Sequence, residues 1–162
     1  MPSDSSPLTA ATPIAFACGM KMKNRFMLAP MTNCQSHDDG QLSEDEFHWL
    51  RKRAEGGFGL TMTCAAHVQK IGQGFPGQLG IYSDDLIDGH RRLAAAIQEH
   101  GSLAVVQLHH AGMRSPRKLI GEAPVCPSED TETGARALRL DEVHELRDAF
   151  IAAAVRCQKA GY

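Results

Sequence analysis

Leu103-Ala104-Val105-Val106-Gln107-Leu108 is apolar at every position but one. A run of that kind does not alternate in and out, as a half-solvated antiparallel strand would. It reads as a parallel strand covered on both faces, closed by a single polar amide at Gln107. Upstream, Leu86, His90, Leu93 and Ile97 recur at helical spacing between an N-cap at Ser83 and a stop at Gly101, with Asp84 and Asp85 in the first turn. Downstream, after a long loop from His109 to about Leu138, Val143, Leu146, Phe150, Ala153 and Cys157 mark another helix. Asp141 and Glu142 open it and Gly161 is its C-cap. A loop of that length, carrying Pro116, Pro124 and Pro127, suggests function rather than mere connection.

The same alternation extends toward the N-terminus. Leu60-Thr61-Met62-Thr63-Cys64 is a second strand, followed by a Gly-rich loop from Ala65 to about Ser83. The preceding helix starts at Ser43, which forms a capping box with Glu46, buries Phe47, Leu50 and Ala54, and stops at Gly56-Gly57. Phe26-Met27-Leu28-Ala29 is a first strand, ending at Pro30, which cannot donate to a ladder. Pro13 to Lys23 reads as a small hairpin around Gly19, and residues 1–12, Ser- and Pro-rich at their start, as a flexible tail. Strand followed by helix three times over implies a parallel α/β sheet, either doubly wound or barrel-shaped, over residues 13–162.

Composition narrows the function classes. A net charge of −2 and the absence of a basic cluster beyond Arg51-Lys52-Arg53 argue against a nucleic-acid partner. No apolar run approaches the ~20 residues of a membrane span. Five scattered cysteines without a CxxC point to reduced thiols in a cytoplasmic protein. Gly72-Gln73-Gly74-Phe75-Pro76-Gly77 matches the dinucleotide fingerprint G-x-G-x-x-G, yet it neither follows a strand directly nor opens a helix, and Pro76 lacks an N–H for phosphate. His109-His110 is no metal pair, because neighbours on a strand point apart, so no metal is expected. Gln107 is the informative residue. In parallel barrels the C-terminal strand ends carry the active site, and Thr32 and Ala65 follow the other two strands in equivalent places.

Several segments resemble the old yellow enzyme family of flavin-dependent ene-reductases. These are Lys23-Asn24-Arg25-Phe26 with Ala29-Pro30-Met31-Thr32, Leu79-Gly80-Ile81-Tyr82-Ser83-Asp84, Val106-Gln107-Leu108-His109-His110-Ala111-Gly112, Ala123-Pro124-Val125-Cys126-Pro127-Ser128 and the final Lys159-Ala160-Gly161-Tyr162. They run in the family's order from about Pro13 to the last residue. The resemblance implies a TIM (β/α)8 barrel holding FMN, of which this chain would be the first three βα units, since a full barrel takes ~250 residues. It also implies that Ala29, Pro30, Met31 and Thr32 line one side of the isoalloxazine. The Thr32 hydroxyl would lie near its O4/N5 edge, the Ala65 backbone beside it, and the Gln107 amide on the pyrimidine edge. Cys34 would contact substrate. The family's bacterial branch often carries Cys at the Thr32 position and Tyr at the Cys34 position, and Met113 stands where an Arg usually follows His-Ala-Gly.

The implied activity is NAD(P)H-dependent reduction of an activated C=C bond. Hydride would pass from NAD(P)H to the flavin and then to the β-carbon, with ping-pong kinetics. The proton donor and phosphate loops would lie beyond Tyr162, so no catalytic residue is expected in this stretch. The partners are small molecules, and a homo-oligomer is compatible with the pattern. Two other readings fit the residues. One is an incomplete barrel acting as a protein-association module through its open edge. The other is a dienoyl-CoA-reductase-like flavoenzyme with an iron–sulfur cluster further on.

Overall fold

The computed structural model describes residues 8–162. Most of the segment expected as a tail, residues 1–7, lies outside the described residues. Within the rest of it, Thr9–Thr12 close a turn by Thr12 N–H to Thr9 O (3.0 Å), and Ala10 O accepts from Arg25 N–H (2.8 Å). The expected hairpin forms from β1 (Ile14–Ala15) and β2 (Lys21–Met22), antiparallel, with Gly19 at φ +88° in the turn.

The central sheet has three parallel strands in chain order: β3 (Met27–Leu28), β4 (Leu60–His67) and β5 (Leu103–His109). α1 (Glu44–Glu55) and α2 (Ile87–Gln98) connect them, and α4 (Leu140–Ala160) follows β5. All three helices cover one face of the sheet. On β5, Ala104 packs with Leu28, Phe47, Leu50, Leu93 and Ile97, while Val106 and Leu108 pack with Cys64, Ala66, Ala153 and Cys157. Residues two apart share a face of a strand, so the alternate set Val105, Gln107 and His109 looks away from the helices.

Three details depart from the pattern reading. β4 runs three residues past Cys64, so Ala65 lies inside the strand instead of beyond it, and β5 likewise runs to His109. The capping box is half made. Ser43 Oγ accepts from Glu46 N–H (3.1 Å), but the Glu46 carboxylate turns inward. There it is fully buried, accepting from Ser36 Oγ and from Cys64 Sγ (2.9 Å). The long loop after β5 is not featureless. It holds a 3-10 turn at Gly112–Arg114, α3 (Arg117–Ile120), and a two-strand parallel pair of β6 (Val125–Cys126) and β7 (Arg136–Ala137).

The other stops behave as composition demands. Gly161 takes φ +94° at the end of α4, a left-handed C-cap that costs glycine nothing. His90, on the buried face of α2, donates through Nε2 to Gly80 O (2.8 Å). That leaves Nδ1 to accept from the Tyr162 hydroxyl (3.1 Å), tying the last residue to the loop before α2. Among the described residues no helix is long and apolar enough to cross a membrane.

Candidate functional site

Parallel pairing puts the C-terminal ends of β3, β4 and β5 at one end of the sheet. Ala29, Pro30, Met31 and Thr32 leave β3 there, all but the half-buried Pro30 exposed. Ala65 stands in register with Gln107 on β5, both half-buried. The three strand ends that the sequence singled out are therefore brought to one side.

What makes Ala65 face the same way as Gln107 is a β-bulge. Met62 pairs with Val105 and Ala65 with Gln107, so β4 spends three residues where β5 spends two. In an unbroken strand Met62, Cys64 and Ala66 would share a face. The bulge instead sends Cys64 and Ala66 into the core under α4 and leaves Ala65 on the helix-free side. Thr63, fully buried at the bulge, fills the gap in the ladder. Its Oγ1 donates to Cys64 O (2.7 Å) and accepts from Gln107 N–H (3.4 Å).

The rim is built by two loops locked together. After β3, Ser43 Oγ donates to Gln35 O (2.5 Å) and Ser36 N–H to Gly77 O (3.0 Å), while Asp38 accepts from Gly77 N–H (3.1 Å). Just before these anchors Cys34 is exposed and takes φ +52°, the one non-glycine in the left-handed region among the described residues. The glycines of the apparent dinucleotide fingerprint serve this packing. A Cβ on Gly72 would lie 2.4 Å from His110 Cδ2, and one on Gly77, at φ +66°, 2.7 Å from Cys34 O. They admit neighbouring chain, not a phosphate.

Gln78, which sequence reasoning passed over, is the hub of the β4–β5 end. It is fully buried, accepts from Gly74 N–H (2.6 Å), donates to Ala65 O (2.8 Å) and faces His109 Nδ1 (3.2 Å). Burial lowers the proton affinity of His67, His109 and His110, and for His110 the neighbouring His109 and His67 add to it. All three imidazoles are held toward the neutral form. Burial and the adjacent Glu46 raise the Cys64 thiol well above its ordinary range, so it is a hydrogen-bonded core group rather than a nucleophile. A mostly apolar groove of about 480 Å³ opens beside the end of β5, lined among others by His110, Met113, Val125, Pro127 and Phe150.

The Gln107 side-chain amide and the Thr32 hydroxyl have no hydrogen-bond partner among the described residues, the backbone N–H of Gln107 being taken by Thr63, and the buried Asn33 Nδ2 is likewise unpaired. The site thus offers exposed small and apolar groups with unpaired polar atoms at their margin. A flat ring system with a polar edge fits that donor and acceptor set.

Residues 11–162 match the model of the NADH:flavin oxidoreductase / NADH oxidase family. The chain is 39% identical to the probable NADH-dependent flavin oxidoreductase YqiG of Bacillus subtilis (strain 168), over 93% of this chain and 41% of that protein. It is 33% identical to an NADH:acrylate oxidoreductase of Vibrio harveyi, over 92% of this chain and 15% of that one. Among solved structures, the old yellow enzyme homologue from Zymomonas mobilis superimposes with a TM-score of 0.86 at 32% identity, over 96% of this chain and 46% of that one. The chain spans about two fifths of the length of its Bacillus relative, and its α/β architecture matches a little under half of the Zymomonas structure. The resemblance carried by the strand-end motifs is borne out: this chain belongs to the NADH:flavin oxidoreductase / NADH oxidase family.

Proposed function

We propose that this chain forms part of the FMN site of an NAD(P)H-dependent oxidoreductase that reduces activated C=C bonds, its strands and helices being the first three βα units of an eight-unit barrel. The observation that carries this reading is the unpartnered Gln107 amide, set by the β4 bulge beside Ala65 on the helix-free face of the sheet. Ala29, Pro30, Met31 and Thr32 supply the surface against which the flavin ring lies, with the Thr32 hydroxyl available to its polar edge. Ala65 contributes backbone, and Gln107 both a donor and an acceptor to the pyrimidine edge. Cys34, exposed on the rim, contacts the substrate. Bound FMN supplies hydride-transfer chemistry between NAD(P)H and an electron-poor alkene.

The residues act by holding and tuning. Hydrogen bonds at the pyrimidine edge favour the electron-rich reduced ring, and the neutral imidazoles at the strand ends keep extra positive charge away from it. The substrate class draws support from the Vibrio relative, whose name specifies acrylate, an α,β-unsaturated carboxylate. The test is expression of the full-length protein containing this chain. It should purify yellow, release FMN on denaturation, and oxidise NADH or NADPH in the presence of 2-cyclohexenone or acrylate. A colourless protein without flavin would overturn the site, and a yellow one inactive on both alkenes would overturn the substrate class.

A further inference from the structure

Gln78 is oriented by backbone groups that leave it no choice. Gly74 N–H can only donate, so the atom 2.6 Å away is the amide oxygen; Ala65 O can only accept, so the atom 2.8 Å away is the NH2. The remaining hydrogen of that NH2 faces His109 Nδ1 at 3.2 Å. An NH2 group has no lone pair to offer, so Nδ1 must accept and the imidazole proton must sit on Nε2. A second proton on Nδ1 would meet the Gln78 N–H head-on, so the ring stays neutral.

His109 lies two residues beyond Gln107 on β5 and projects from the same, helix-free face. Its Nε2 has no protein partner among the described residues. It is also not sealed from solvent, whereas the Nε2 atoms of His67 and His110 are buried without partners.

We infer that His109 is a neutral hydrogen-bond donor of the site, and that Gln78 is the positioning residue that fixes its tautomer. The acceptor it suits is an sp² oxygen of the molecule being oxidised or reduced: the carbonyl or carboxylate of the alkene, or the carboxamide of the nicotinamide. This rests on the flavin site proposed above.

The experiment uses the full-length protein with FMN bound and its histidines labelled with 15N. Two-bond 1H–15N correlations report the tautomer, and the His109 signals are identified by their loss in His109→Leu. The wild type should show Nε2–H. Gln78→Glu, whose carboxylate can only accept, should move the proton to Nδ1. In steady-state kinetics His109→Leu should raise KM for either the alkene or NAD(P)H by roughly 3- to 10-fold, the worth of one neutral hydrogen bond. Which KM moves identifies the oxygen. His109→Gln, which restores an N–H donor, should recover most of the loss. An Nδ1–H or charged imidazole in the wild type would overturn the tautomer assignment, and both KM values unchanged in His109→Leu would overturn the donor role. A protein without flavin would sink the site and the donor role together, while the NMR result would still judge the Gln78–His109 geometry by itself.

Discussion

Replacing Thr63 by Val tests the bulge on which the site depends. The two side chains have nearly the same shape, and Val is the better strand former, so any loss must come from the hydroxyl. In the native protein that hydroxyl accepts from Gln107 N–H (3.4 Å) and donates to Cys64 O (2.7 Å), with no solvent access. Val leaves the part-buried Gln107 N–H unpaired, where a fully buried group would cost about 1–3 kcal/mol. The long Gln107 contact puts that term in the lower half of the range, and the lost bond to Cys64 O adds about 1 kcal/mol. The expected destabilisation is therefore about 2–3 kcal/mol. Thr63→Ser keeps the hydroxyl and gives up only a methyl, about 1 kcal/mol. Urea unfolding of the full-length proteins gives the two values. Amide hydrogen exchange gives a second reading, since the Gln107 N–H should lose protection in Thr63→Val and keep it in Thr63→Ser. A Thr63→Val protein as stable as wild type, with the Gln107 amide still protected, would show that the hydroxyl does not hold the bulge.

Gln107→Ala in the full-length protein should weaken FMN retention and shift its reduction potential; flavin content and potential equal to wild type would remove Gln107 from the site. Gly72→Ala should cost about 1–3 kcal/mol, because its Cβ would come within 2.4 Å of the His110 ring, and wild-type stability would show that the ring moves aside freely. Glu142 accepts from Nη1 and Nη2 of Arg136 and from Arg139 N–H, and these bonds, the Arg136 pair first, lower its carboxyl pKa from 4.5 to about 2. A lowered carboxylate stabilises the fold above its unfolded value, and that help fades as pH falls from about 4.5 toward 2. The stability difference between wild type and Glu142→Gln should therefore be constant above that window and shrink within it; a difference unchanged at pH 2 would refute the pairing. Residues 1–162 expressed by themselves should be colourless, bind ANS and fail to reduce 2-cyclohexenone. The outer edge of β5 has no strand partner among the described residues, and apolar Leu103 and Val105 look away from the helices. A yellow, monomeric and active 1–162 would contradict this.

Local spacing made most of the scaffold legible. Phe47, Leu50 and Ala54, then His90, Leu93 and Ile97, recur at helical intervals and are buried as that interval requires. Ser43, Ser83 and Gly161 end or begin helices for reasons contained within three or four residues. The near-continuous apolar run after Ser102 read as a strand of a parallel sheet, and its one amide drew attention to Gln107; that helices cover only one of its faces among the described residues is decided by the fold. Features that depend on distant partners were hidden. Leu60 to Cys64 looks the same whether or not the strand bulges, because the bulge is set by pairing with β5, some forty residues on, and only Thr63 Oγ1 meeting Gln107 N–H completes it. Glu46 reads as a capping-box residue until Ser36 and Cys64 close over its carboxylate. Gln78, in a glycine-rich loop, carries no local signal, and only the fold brings Gly74, Ala65 and His109 around its amide. Hydrophobic periodicity reports which residues leave water. It is silent on which buried polar atoms find one another, because that pairing exists only once the chain has folded back on itself.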